Sequence, residues 1–122
     1  MTLRHGPKIS AEEHSRRVVA LITGQPENPT PEQERAHQRA EFRVMVDYRL
    51  GTLFPDDRFD RLCEARERVM ARIAMMDATK TGRAMFRWPG LLERFLIRTT
   101  VKQLSTVLDE QELKDLIGDI PP

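Results

Sequence analysis

The sequence predicts an all-α fold, a small bundle of about five helices built on a long antiparallel helical hairpin. Three observations predict it. Helix-start signatures in which Ser, Thr or Asp is followed three residues later by Glu or Gln occur at Ser10–Glu13, Thr30–Gln33 and Asp109–Glu112. Downstream of the start signals the apolar residues recur at three and four positions rather than alternating. Aromatic residues are few, five Phe with one Tyr and one Trp, which disfavours the aromatic-rich short strands of an all-β domain.

The first helix is expected over 11–23, with Val18, Val19, Leu21 and Ile22 as its apolar set and Gly24 closing it. A breaker-rich linker, GQPENP, follows. Thr30 then supplies an N-cap and Pro31 a first-turn proline for a second helix over 31–51, ended by Gly51 and Pro55. Asp56 or Asp57 caps a third helix over 57–78, the most regular of the set. In it Phe59, Leu62, Cys63, Val69, Met70, Ile73 and Met76 share one face, and Arg61, Glu64, Arg68 and Arg72 lie outside. Two helices of this length each span roughly 30 Å, and the short loop between them makes an antiparallel hairpin the natural pairing.

The segment RAMFRW reads either as a short helix or as an extended link, and Trp88 before Pro89 marks a break. A fourth helix is expected over 90–107 and a fifth over 110–117, stopped by Gly118. Leu62, Val69, Ile73, Phe95 and Leu104 are the expected core. The whole chain, 1–122, reads as one domain, with 1–9 and 119–122 as flexible ends.

At 122 residues the chain is long enough to bury a core without disulfides or metal. Its lone cysteine, Cys63, forms no internal disulfide and fits a reducing compartment, so the expected location is cytoplasmic. No apolar signal region and no stretch near the roughly 20 apolar residues of a membrane span occurs. The formal net charge of +1 conceals an uneven map. Residues 1–77 carry 13 cations and 13 acids, 78–108 carry six cations and one acid, and 109–122 carry one cation and five acids.

Catalytic and ligand-binding signatures are missing. Glu34 and His37 have the Glu-x-x-His spacing of di-iron carboxylate helices, but that site requires a second copy facing it and none exists. His37 with Glu41 reads instead as a surface pair. His5 and His14 are scattered, and Cys63 falls on an apolar face where a thiol is structural. No Gly-rich phosphate loop, Gly-x-Ser-x-Gly elbow or His-Glu-x-x-His appears. Nothing in the sequence supports an enzyme, and no catalytic residue, metal ligand or cofactor is assigned.

What remains are surfaces. Arg94, Arg98 and Lys102 are spaced as one helical stripe with a single acid, Glu93, nearby. Met75 and Met76 belong to a methionine-rich set suited to adaptable contacts, and Phe86, Trp88 and Leu91 add apolar area beside the stripe. These eight residues form the expected interaction surface, with Met75, Phe86 and Leu91 as the contact of a homo-oligomer. The expected function is a non-enzymatic protein–protein interaction module: a homo-oligomer, adaptor or assembly factor. The alternative is a nucleic-acid-binding regulator using the stripe, although a pI near 8.0 falls short of strongly basic domains. A membrane-surface role ranks below both. The acidic segment 109–119, directly after the basic one, suggests that the stripe meets carboxylates of this chain or of a partner.

Overall fold

Ser10, Thr30 and Asp109 each open a helix, because each side chain accepts the backbone N–H three residues on (3.1, 3.1 and 2.8 Å). Thr30 and Asp109 complete the capping box, with Gln33 and Glu112 reaching back to the cap's own N–H. The structure, a computed structural model, describes residues 8–118. Among them it contains six helices and no strand: α1 Ala11–Thr23, α2 Pro31–Leu53, α3 Phe59–Asp77, α4 Lys80–Met85, α5 Leu91–Leu104 and α6 Glu110–Ile117.

The differences from expectation have local causes. α2 runs through Gly51 to Leu53 and stops only at Phe54, the residue that Pro55 pushes out of helical geometry. Gly51 acts as a packing position, since a Cβ there would come within 3.1 Å of the Lys8 side chain. α3 starts at Phe59 because the Asp56 carboxylate binds the Arg58 N–H at 2.8 Å and folds a turn ahead of the helix. α4 takes in only the first half of the RAMFRW segment, Arg83 to Met85, and is capped by Thr79, which accepts from Gly82 N at 3.0 Å. Trp88 lies in the turn that follows, and Gly90, at φ 76°, opens α5. α5 ends at Leu104 rather than 107, and a tight turn carries the chain to Asp109.

Two apolar clusters hold the helices together. The larger gathers Leu50, Leu62, Val69, Leu104 and Leu116 with their neighbours, and the smaller gathers Ile73, Phe86, Leu92 and Leu96. Each fully buried Leu or Ile stabilises the fold by about 1.5–3 kcal/mol. Leu62, Val69, Ile73 and Leu104 lie in the core, as expected from the helical period, whereas Phe95 is half-buried at the edge of the smaller cluster. The most extensive helix pairing is α3 on α5.

α2 and α3, which share the larger cluster, are also tied by charge. Arg35 and Arg39 both grip Asp77, Arg43 reaches Glu67 at 2.6 Å, and Arg66 grips Asp47. Ascending positions on α2 thus meet descending positions on α3, so the two run antiparallel. Arg35, Asp47 and Arg66 are buried, which is permissible only because each charge has a partner. Burial pushes the Asp77 carboxyl up, but the hydrogen bonds and charges of Arg39 and Arg35 outweigh it and hold Asp77 below the usual carboxylate range. Glu67 is depressed in the same way by Arg43 and Arg66. Burial pushes the Cys63 thiol up, as suits an inert core cysteine.

Lys8 donates to the Pro55 carbonyl at 3.1 Å and lies over the Phe59 ring, and Ile9 is half-buried, so these two residues are anchored. The expected flexible ends 1–7 and 119–122, His5 included, lie outside the described residues. No helix among the described residues is long and apolar enough to cross a membrane.

Candidate interaction surfaces

α1 is amphipathic, yet none of its residues is buried. It leans on α2 through the His14 ring stacked on Tyr48 (centroids 4.1 Å apart) and through Arg17, whose guanidinium donates to Asp47 at 3.2 Å. One turn further along, Val18, Leu21 and Ile22 meet a hollow of about 690 Å³ instead of a neighbouring helix. Its other walls are Val44, Met45 and Tyr48 of α2 and Asp115 of α6.

Two further hollows follow it along α2. One, of about 390 Å³, lies between α2 and α5 and is lined by Gln38, Glu41, Phe42, Met45, Glu93 and Leu96. The other, of about 400 Å³, lies at the start of α2 beside Trp88, and Pro31, Glu34, Gln38 and Leu92 line it. Glu41 and Met45 belong to the first hollow and the second, and Gln38 to the second and the third. The three therefore follow one another as a trough along α2, walled by α1 and Asp115 of α6 in the first hollow and by α5 and the Trp88 turn in the other two.

The trough's exposed acids outnumber the arginines in it that lack an ion pair among the described residues, Arg49 and Arg87. Glu34, Glu41, Glu93 and Asp115 are exposed along it. The nearest cationic group to any of them is His37, 3.8 Å from Glu41 and charged only when protonated, while Asp115 accepts from Gln111 at 3.0 Å. Of the three lining arginines, Arg35 is paired with Asp77, whereas Arg49 donates to the Leu116 carbonyl at 2.8 Å and keeps its charge, and Arg87 lies unpaired in the same hollow as Glu34. Arg87 alone of them is exposed. Glu34 and His37 line different hollows, and no group of three or more His, Cys, Asp or Glu is placed to hold a metal among the described residues.

The basic surface lies on the other side of α5. Arg94, Arg98 and Lys102 are exposed and form no ion pair among the described residues. Arg68 of α3 donates to Gln103 of α5 at 3.1 Å, and Ile73 and Met76 pack among Leu92, Phe95 and Leu96, so α3 and α5 run antiparallel. Exposed Arg68 and Arg72 extend the stripe onto α3. The expected fold-back onto the acidic segment does not form within residues 8–118. α6 packs against α2 more than against α5, and its acids are engaged elsewhere: Glu112 with Arg58 at 2.9 Å and Glu110 with Lys114 at 3.5 Å.

Of the apolar residues assigned to the interaction surface, Met75 and Trp88 are 71% exposed each. Met76 and Leu91 are half-buried, with Met76 against the smaller cluster. Phe86 is a correction: it is 6% exposed and meets Phe95 edge-on at 5.7 Å, because the turn after α4 directs it inward under α5. It belongs to the core rather than to the exposed surface expected for it. Trp88 borders the trough. The trough itself was missed by sequence reasoning, since Leu21, Ile22 and Met45 meet only once α1 lies along α2. One signal was present: Phe42, Val44, Met45, Val46 and Tyr48 cover more of the helix than a single stripe.

Comparison with protein-family models, with curated proteins and with solved structures finds no match to the chain.

Proposed function

We propose that the chain is a protein–protein interaction module, working as an adaptor, an assembly factor or a self-associating subunit. The observation that supports this reading is the trough along α2. Its apolar lining and length suit the helix-in-groove mode of recognition, in which an amphipathic helix lays its apolar side into a cleft. Val19 and Ile22, 57% and 70% exposed, enlarge the apolar area at its edge. The test is photo-crosslinking in cells from a benzophenone side chain at Met45. A discrete protein adduct, lost when Leu21→Glu places a charge in the hollow, supports the reading. No adduct beyond that formed from the outward-facing position 72 counts against it.

The free stripe favours a second reading, binding to nucleic acid through phosphate contacts by Arg94, Arg98, Lys102 and their α3 neighbours. Such binding weakens steeply with salt, with a log–log slope of roughly 0.9 per phosphate neutralised on duplex DNA. Titration of random duplex DNA and RNA across salt, with wild type and with Arg94→Glu/Arg98→Glu, separates the readings. The interaction-module reading expects weak binding in both proteins. Tight, salt-sensitive binding abolished in the variant establishes the second.

A further inference from the structure

We infer that the occupant of the trough is a basic amphipathic helix of another protein, with its apolar side on Met45 and Leu21 and its cations against Glu34, Glu41 and Glu93. The inference rests on the interaction-module reading and adds to it the chemistry of the partner. Length is the first argument. The lining residues of α2 run from Pro31 to Leu53, and 23 residues of helix span about 34 Å, room for a partner helix of about 20 residues.

Charge is the second. The acids occur at intervals along the whole trough: Glu34 in the hollow beside Trp88, Glu41 and Glu93 between α2 and α5, and Asp115 near the far end. None is neutralised by Lys or Arg among the described residues, although this arginine-rich chain pairs both Asp47 and Asp77 with more than one guanidinium. An apolar cleft rimmed by free carboxylates favours a ligand carrying cations beside its apolar stripe, and disfavours an acidic one by like-charge repulsion.

The basic helix α5 of a second copy is not that ligand. Its exposed cations Arg94, Arg98 and Lys102 stand on a helix whose apolar side is already buried through Leu92, Leu96 and Leu104. α5 therefore offers charge without a free apolar stripe.

The experiment uses two fluorescent peptides of about 20 residues with the same helical leucine pattern, one with Lys at every polar position and one with Glu. Each is titrated with the full chain and read by fluorescence anisotropy. The Lys peptide is expected to bind about tenfold or more tightly than the Glu peptide. Glu34→Lys/Glu41→Lys, at exposed positions, is expected to reverse that order, and Glu93→Lys on the opposite wall to narrow it. Met45→Glu is expected to weaken the Lys peptide, with thermal melting confirming that each variant folds. Arg94→Glu/Arg98→Glu is expected to change nothing.

Equal affinity for the two peptides, a preference for the Glu peptide, or Lys-peptide binding indifferent to both the trough charges and Met45 overturns the inference. If neither peptide binds, the inference also fails. The adduct from position 45, read separately, then decides whether the docking reading survives it.

Discussion

Asp47 lies beneath three guanidinium groups, with 5% of its side chain exposed, and replacing it with Ala removes the anion that all three share. Arg17 is 3.2 Å away and Arg43 3.7 Å, while Arg66 donates to it directly. The loss differs for each. Arg17 is 38% exposed and retains Glu13, and Arg43 retains Glu67 at 2.6 Å, so both remain solvated or paired. Arg66 is buried, and its Nε has no hydrogen-bond partner even in the wild type. It keeps only Glu67, at 2.9 Å. Stranding a buried charge costs about 3–5 kcal/mol, and the surviving Glu67 contact places Asp47→Ala near 3 kcal/mol. Against a total stability of about 5–15 kcal/mol, that loss shifts the urea midpoint far outside experimental error. Circular dichroism at 222 nm through a urea titration measures it, with the denaturant slope confirming that the unfolded state is unchanged. The double variant Asp47→Leu/Arg66→Met removes charge and countercharge together and is expected to recover a large part of the loss, because apolar replacement of a buried pair is often neutral or favourable. An Asp47→Ala cost below about 1 kcal/mol, or a double variant no more stable than either single one, would refute the reasoning.

Leu62→Ala and Leu104→Ala, at fully buried positions, are each expected to cost about 2–5 kcal/mol in the same titration, and a change of only a few tenths would mean the helix faces are misassigned. Gly82→Ala drives a Cβ into the Met76 carbonyl oxygen, a backbone atom that cannot swing aside, so the α3–α4 turn must open. A lower melting temperature with loss of amide protection in α4 is expected, and an unchanged melting curve contradicts the packing. The acid limb of stability depends on Asp77. Its folded-state pKa is depressed, so its contribution is complete above the unfolded value of about 4 and is lost as pH falls through the folded one. Asp77→Asn should therefore flatten the decline in stability below about pH 4, as measured by melting temperature against pH. A limb as steep as the wild type's would assign acid sensitivity elsewhere.

The parts of the fold legible in the sequence were those decided within one turn of the chain. Ser10, Thr30 and Asp109 bond their own helices, so the starts of α1, α2 and α6 could be read without knowing what packs on them. The faces of α3 were legible for a related reason, since Leu62, Val69 and Ile73 repeat with the helical period. Asp47, Arg35 and Arg66 were not legible as interior residues. A charged residue reads as surface until its partner is known, and here the partner stands on another helix 19 to 42 positions away. Arg94, Arg98 and Lys102 were recognisable as one stripe because stripe spacing is local. Their lack of a partner was not, because it depends on where α6 packs. The trough was hidden for the reason given by its composition: it is the space left between helices.

α1 supplies no side chain to either apolar cluster, and a seven-residue linker, 24–30, separates it from α2. Its release therefore sacrifices a ring stack and a half-exposed ion pair but no core burial. Native-state deuterium exchange should resolve the molecule into two cooperative units, with α1 amides exchanging through a partial opening and α3 and α5 amides through complete unfolding. Added salt screens the Arg17–Asp47 attachment and should hasten exchange in the first unit far more than in the second. The rate at which the trough loses one of its walls is then separable from the rate at which the protein unfolds.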